Sequence, residues 1–355
     1  MKMNLKSVIA ISLLPQIVLV KWLGSHADWI ENYYSTGIYP FIAKIFRTAF
    51  GWIPFSIGDI IYITLGILAI TYLYRNRHKI WKNKLLFIRD IVMVLAIAYF
   101  TFHLMWGFNY YREPLKTKLQ LEETKDFDEL VDFTRRLIKK TNELQFKIAQ
   151  DSSKIVTTPY SKEEMVNKSI QGYARLSKKY PFLTYENPSA KTSLLSTTLT
   201  YMGYAGYLNP FTNEAQVNGL LPNFRFPVVT GHEIGHQLGY SAENETNFIG
   251  YLVTVNNPDD YFKYAAYAYA LGYCLNDVRR GDKVVFDEVL NELNGGVKLN
   301  FQEMSNFWNS YENPMEPVFK AMFNSFLKAN NQTQGIQSYN AVVSLLVGYH
   351  REHPL

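Results

Sequence analysis

Apolar positions come in unbroken blocks through the first hundred residues and in stripes after them. Three blocks stand out: Val8 to Trp22, interrupted by Pro15 and Gln16; Ile60 to Tyr74, with a start as early as Ile53; and Ile91 to Phe108. A helix needs about 20 apolar residues to cross a bilayer core, so the blocks predict three spans at about 7–23, 56–74 and 90–108. The first has the form of a signal-peptide core, but Trp22-Leu23-Gly24-Ser25-His26 is a poor match to a small-residue cleavage site, so a retained span is expected. Between the first two blocks, residues 37–55 carry aromatics with Lys44 and Arg47 in an amphipathic pattern, which suits the membrane interface or a plain connection. From Asn109 the pattern changes. Leu130 to Ile148 is an amphipathic helix with Lys139, Lys140, Glu143 and Lys147 on its polar side. Ser161 and Glu164 form a capping box for a helix that runs to Lys179 and stops at Tyr180-Pro181. Ser193 to Leu221, rich first in Ser/Thr and then in Tyr and Gly, predicts short strands and a tight turn, with Glu214 to Asn218 as a strand. Residues 259–278, 284–293, 301–311, 316–329 and 337–350 read as further helices. The expected fold is an N-terminal three-helix transmembrane region, residues 1–108, followed by a mostly α domain of the α+β kind with a small sheet, residues 109–355.

Composition supports a packed core and excludes disorder: 48% of the 355 residues are hydrophobic, with 26 Tyr and 23 Phe. Charge sets an expected orientation. Arg75, Arg77, Lys79, Lys82, Lys84 and Arg89 lie between spans two and three, and Lys2 and Lys6 precede span one. The positive-inside rule puts both groups in the cytoplasm, so an odd number of spans leaves everything after Phe108 outside. The basic balance then reflects topology and anionic lipid, and no nucleic-acid partner is expected. Asp59 and His103 fall near the outer ends of spans two and three and read as interfacial or helix-pairing residues. Cys274 is the single cysteine, so no intrachain disulfide forms.

The chemistry concentrates in Thr230-Gly231-His232-Glu233-Ile234-Gly235-His236-Gln237-Leu238-Gly239. On a helix the two histidines of H-E-x-x-H lie one turn apart on one face and can serve a single metal ion, with Glu233 beside it to take a proton from a metal-bound water. Pro227 suits the first turn of this helix and Gly239 ends it, permitting a sharp reversal. A catalytic zinc needs a third protein ligand. In Glu243-Asn244-Glu245-Thr246-Asn247-Phe248, Glu245 shares a helical face with Phe248, Ile249 and Leu252, where an unpartnered carboxylate is costly. Glu245 is therefore the expected third ligand, and Glu243, nearer the helix start, is explained by the helix dipole. The strand at Ala215, Gln216 and Val217 is the candidate substrate-binding rim, holding a peptide as an added strand; an internal strand is the alternative. Transition-state charge needs a further donor, and with His350 and His353 the only later histidines a tyrosine is expected, unassigned.

H-E-x-x-H followed by E-x-N-x-F resembles the zincin metallopeptidases of the gluzincin kind, with a spacing similar to the compact repressor-cleaving ImmA/IrrE type. Thr246 stands where that pattern usually has Ala. Over most of its length the chain is similar to a bacterial membrane family, the domain of unknown function 3810. That likeness rests on Trp106-Gly107-Phe108-Asn109-Tyr110-Tyr111-Arg112, on Asn209 to Thr212 through Val217-Asn218, and on His232 to Leu252. The family resemblance implies a zinc-peptidase-like membrane protein with a bound Zn2+ and supplies no substrate; joined to the charge-based orientation, the expectation is a multi-pass protein of the bacterial inner membrane with an extracytoplasmic zincin-like domain that acts on a peptide or protein. The expected activity is peptide-bond hydrolysis by a zinc-activated water with Glu233 as general base. A non-catalytic sensor or scaffold keeping that fold is the competing expectation, and an intramembrane protease is disfavoured by the polarity of residues 222–247.

Overall fold

The computed structural model describes residues 4–122 and 126–355. Three of its helices are long and apolar enough to cross a membrane: α1 (Leu5–Gly24, with a turn at Ser12), α3 (Ile57–Lys82) and α4 (Lys84–Met105). Only 11%, 11% and 6% of the residues in their apolar windows are buried inside the protein. Their apolar faces therefore have no protein cover, which is the state of a helix solvated by lipid. The second and third are longer than expected at the end where they meet, since the basic run from Arg75 to Lys82 continues the helix. At that same end Lys6 Nζ lies 3.7 Å from Asp90 Oδ2. The connection between spans one and two is helical: α2 (Tyr39–Phe50) follows a wide-turned segment, Ile30–Ile38, and leaves Ile38, Phe41 and Ile45 exposed along one face.

The other end of the spans is tied to the rest of the chain by buried polar groups. Ser56 caps α3, accepting from Asp59 N at 2.9 Å. The Glu214 carboxylate accepts from Ile57 N at 3.2 Å and from Gly58 N at 2.6 Å, and it pairs with Lys191 at 2.5 Å. It therefore sits on the positive end of the α3 dipole. Asp59 accepts from Ser193 Oγ (2.9 Å), Leu194 N (2.8 Å) and the Tyr207 hydroxyl. It joins α3 to the sheet. His103 is buried, its Nδ1 donating within α4 to Tyr99 O at 2.9 Å, and its role is packing.

Beyond the spans, α5 (Phe127–Ala149) and α6 (Lys162–Leu176) come first, and the Ser161–Glu164 capping box forms as expected. Strands β1 (Ala190–Thr192), β2 (Gly206–Asn209) and β3 (Glu214–Val217) make one sheet in the order β1-β3-β2. β3 pairs parallel with β1 and antiparallel with β2 across the turn at Asn213. The segment Ser196–Tyr201, read as strand-like, is a short helix instead. Then come α7 (Phe226–Gln237), α8 (Glu243–Val255), α9 (Asp260–Gly281), α10 (Lys283–Asn291), α11 (Gly295–Asn309), α12 (Glu316–Ala329) and α13 (Val342–Glu352). The main core gathers Phe248, Ile249 and Leu252 of α8, Tyr264 and Leu271 of α9, Phe133 and Leu137 of α5, and Leu345 and Leu346 of α13. Every residue of α7 is buried.

Candidate metal centre

Helices α7 and α8 form a tight hairpin, and two details of sequence make it tight. Gly239, at φ +83°, closes α7 with bonds from Tyr240 N to Gly235 O at 3.2 Å and from Gly239 N to His236 O at 3.0 Å. This is the Schellman pattern of a helix that ends on a left-handed glycine. Gly231 and Gly250 then meet where the helices cross. A Cβ on Gly250 would stand 2.6 Å from Val228 O and 3.0 Å from His232 N, so only glycine permits the approach.

The hairpin aims both histidines. His236 Nδ1 is 2.7 Å from Tyr240 O, and a carbonyl only accepts, so Nδ1 carries the proton. His232 Nδ1 is 2.8 Å from Asn247 Oδ1. That amide is oriented in turn by the Tyr269 hydroxyl, which donates to Oδ1, while Nδ2 donates to the Tyr273 hydroxyl at 3.4 Å. With each Nδ1 engaged, each Nε2 is left as a lone-pair donor, the arrangement in which outer partners fix metal-ligating imidazoles.

Both Nε2 atoms face one carboxylate oxygen. Glu243 Oε2 lies 3.3 Å from His232 Nε2 and 3.7 Å from His236 Nε2, with no hydrogen bond of acceptable geometry to either. These two separations are close to the about 3.3 Å between atoms held about 2.0–2.1 Å from a tetrahedral zinc. Glu233 is also within 4.8 Å of the two histidines. Its carboxylate, however, stands on the far side, against β2, where a Cβ on Gly206 would lie 2.5 Å from Glu233 Oε1. Glu243 is thus the carboxylate that faces both Nε2 atoms, and Glu233 stands beside them. Two imidazoles and a carboxylate are the donors zinc takes with an open fourth position.

Glu245, the expected third ligand, is not with the histidines. Its Oε1 accepts from Leu115 N at 2.6 Å, and burial, opposed by that bond and by Arg112, pushes its carboxyl up to about 7. The physical premise held, since a carboxylate on an apolar face did need a strong partner. The partner is a backbone amide from a distant segment. What separates the two glutamates is that Glu243 and Asn247 lie one turn apart on the face toward α7, while Glu245 follows Phe248 and Ile249 into the core.

The expected substrate strand is corrected too. Ala215, Gln216 and Val217 are fully buried, and β3 has β1 on one side and β2 on the other, so no edge is open to a peptide. Among the described strands the one beside the site with a free edge is β2. Gly206, Tyr207 and Leu208 line a cavity of about 610 Å³ together with His232, Glu233 and Glu243.

Electrostatics within the site follow from burial. Burial pushes the Glu233 carboxyl up to about 8, and its Oε2 has no partner. Burial also lowers His232. His236 feels the same burial but rises to about 8, because Glu243 outweighs it. Burial works against Glu243 as well, yet the two imidazoles hold its carboxyl well below the usual range. Of the tyrosines on the cavity wall, Tyr207 donates to Asp59 and Tyr269 to Asn247 Oδ1. Tyr273 accepts from Asn247 Nδ2 at 3.4 Å, Tyr62 and Tyr110 line the same cavity, and Arg225 lies over the Tyr269 ring at 3.8 Å.

The carbonyls that end α7 are satisfied by residues at and before the expected domain boundary. Trp106 Nε1 donates to His236 O at 2.9 Å, the Tyr39 hydroxyl to Gln237 O at 2.8 Å, and Arg112 Nη1 to Gly239 O at 2.8 Å. A helix leaves its last carbonyls without partners of its own. The stretch Trp106 to Arg112 therefore works as a cap on the helix that carries the histidines.

The profile of the family described as "Protein of unknown function (DUF3810)" matches residues 34–347. The chain belongs to that family. The matched region takes in the Trp106–Arg112 cap, the sheet and the α7–α8 hairpin. No curated protein and no solved structure matches the chain.

Proposed function

We propose that this member of the family is a membrane-anchored, zinc-dependent metallopeptidase of the zincin kind. The observation that carries the reading is the convergence of His232 Nε2, His236 Nε2 and Glu243 Oε2 with both Nδ1 atoms pinned behind them. His232, His236 and Glu243 would hold a zinc ion, which would supply Lewis acidity for hydrolysis of a peptide bond. The protein's own groups do the rest. Glu233 accepts a proton at its unpartnered Oε2 and returns it to the leaving amine, and burial keeps its affinity for that proton near neutral pH. β2, with its open edge on the cavity, holds a peptide as an added strand, and Gly206 keeps that strand close to Glu233. Tyr110 and Tyr273, on the cavity wall, offer hydroxyls to developing negative charge.

The same reading places the domain after α4 outside a bacterial inner membrane. The basic residues from Arg75 to Arg89 and the paired Lys6 then lie on the cytoplasmic side.

The test is elemental analysis and peptide cleavage on the full chain purified in detergent. We expect about one zinc per chain in the wild type, in Glu245→Ala and in Glu233→Gln, and a sharp loss in Glu243→Ala. Glu233→Gln should keep the metal and lose cleavage. Loss of metal in Glu245→Ala alone would restore the sequence-based ligand. A well-folded wild type that takes up no zinc sinks the peptidase reading and favours a sensor or scaffold.

A further inference from the structure

The cavity beside the histidines is not walled by the α7–α8 domain alone. Tyr62 comes from span α3, Phe102 from span α4, and Lys320, Phe323 and Phe326 from α12. Helix α12 is also fastened to the ends of the spans. Phe326 packs on Phe102 and Tyr110 with ring centroids 5.9 and 6.0 Å apart, and Lys21, near the end of α1, donates to Ala329 O at 2.8 Å. On the face of α12 that Phe326 shares, at i+4 from Met322, the residues Met315, Val318, Met322 and Ala329 are exposed, with Met322 at 65%. Between Pro314 and Ala329 the single acidic residue is Glu316, which pairs with Lys320 at 2.5 Å, and Lys328 is exposed. An uncovered apolar face with Lys328 beside it, continuous with the ends of two membrane-length helices, is suited to a bilayer surface. Helix α2 repeats the arrangement with Ile38, Phe41 and Ile45.

We propose that α12 rests in the bilayer surface through its Met315–Val318–Met322 face, and that it forms the wall past which the cavity receives a polypeptide tethered to that same membrane. The first half rests on the helix and its neighbours alone. The second half rests on the peptidase reading above. Tyr62 and Phe102 connect the cavity to the lipid-facing side of the spans, so a substrate segment emerging from the bilayer reaches β2 without crossing open water. Confinement to the surface raises the local concentration of a tethered substrate and not that of a soluble one.

The experiment uses the full chain in nanodiscs of mixed zwitterionic and anionic phospholipid. Spin labels are placed at Met322→Cys, Val318→Cys and, as a water-facing reference, Val284→Cys. Cys274 is buried and does not compete for label. Oxygen, which concentrates in lipid, should relax the first two labels more than a water-soluble nickel chelate does, with the reverse at the reference. Equal chelate access at Met322 and the reference overturns the membrane seat of α12. In a second arm, fluorogenic decapeptides of randomised sequence are offered plain or with an N-terminal palmitoyl chain. The anchored set should show a KM lower by at least about tenfold, and Val318→Glu with Met322→Glu should erase that gap at unchanged zinc content. Equal KM for both sets overturns the tethered substrate. Cleavage of neither set refutes the peptidase reading and the tethered substrate with it, while the label result still decides where α12 lies.

Discussion

The span bundle and the α7–α8 hairpin are built with opposite polarity. The spans turn Leu, Ile and Val outward and bury few residues, whereas the hairpin buries histidine, glutamate, asparagine and glutamine at full depth. A lipid-facing helix is stabilised by its solvent and needs few partners. A buried polar helix is stable only when each donor and acceptor has been found a partner, and those partners come from elsewhere in the chain. The two regions meet at the C-terminus of α7, where Tyr39, Trp106 and Arg112 take up its last carbonyls. The site is thus supported by the membrane-proximal region as well as by its own domain.

The sharpest way to break this comparison is to cut it. The fragment beginning at Asn109 loses Tyr39, Trp106 and the Glu214–α3 contacts, and we expect it to show no cooperative melt and no bound zinc. A fragment that folds and binds zinc like the full chain would make the two regions independent. Next in size is Glu214→Ala, which leaves the Lys191 ammonium buried and α3 without its anionic partner. We expect a loss of about 3–5 kcal/mol in the full chain, read as a fall in Tm in detergent. Gly250→Ala forces a methyl against Val228 O. It should cost about 2–4 kcal/mol while moving α8 away from the histidines. Unchanged zinc affinity in that variant would show that the close crossing does not set the site.

Asn247→Ala probes orientation without touching a ligand. Zinc affinity should fall about 10–100-fold with little change in Tm, because His232 loses the partner of its Nδ1. The smallest effect lies away from the site. His350 is buried neutral against Tyr251, whose hydroxyl is 2.7 Å from its Nε2, and burial lowers its pKa from 6.5 to about 4. As pH falls the unfolded chain takes up this proton first, so stability present above the unfolded value is lost across that window and levels off near the folded one. Between about pH 7.5 and about pH 5.5 the contribution is about 1 kcal/mol. It should vanish from the pH dependence of Tm in His350→Gln.

Much of this was legible in the residues themselves, and the reason is locality. A run of apolar residues makes a membrane-length helix wherever it stands, which is why α1, α3 and α4 were expected within a few residues at the ends that meet the rest of the chain. The Ser161 capping box and the stop at Gly239 are likewise settled within a few positions. So is the placing of His232 and His236 on one helical face.

Two errors came from the same source. Glu243 and Glu245 are near neighbours on one helix, and the choice between them is made by which face of α8 meets α7. That contact is set by Gly231 and Gly250, which stand on different helices and touch only in the fold. The sequence pattern around Glu245 described its burial correctly and could not name Leu115 as its partner. The β3 strand was recognised, but whether a strand has an open edge depends on strand order, and parallel pairing with β1 is a long-range event. The sequence by itself determined the elements, the spans and the two histidines with their neighbouring glutamate, because these depend on spacing along one helix. Tertiary structure alone decided which carboxylate faces the two histidines, which strand lies beside the cavity and how Tyr39, Trp106 and Arg112 cap α7, because each depends on side chains that packing brings together.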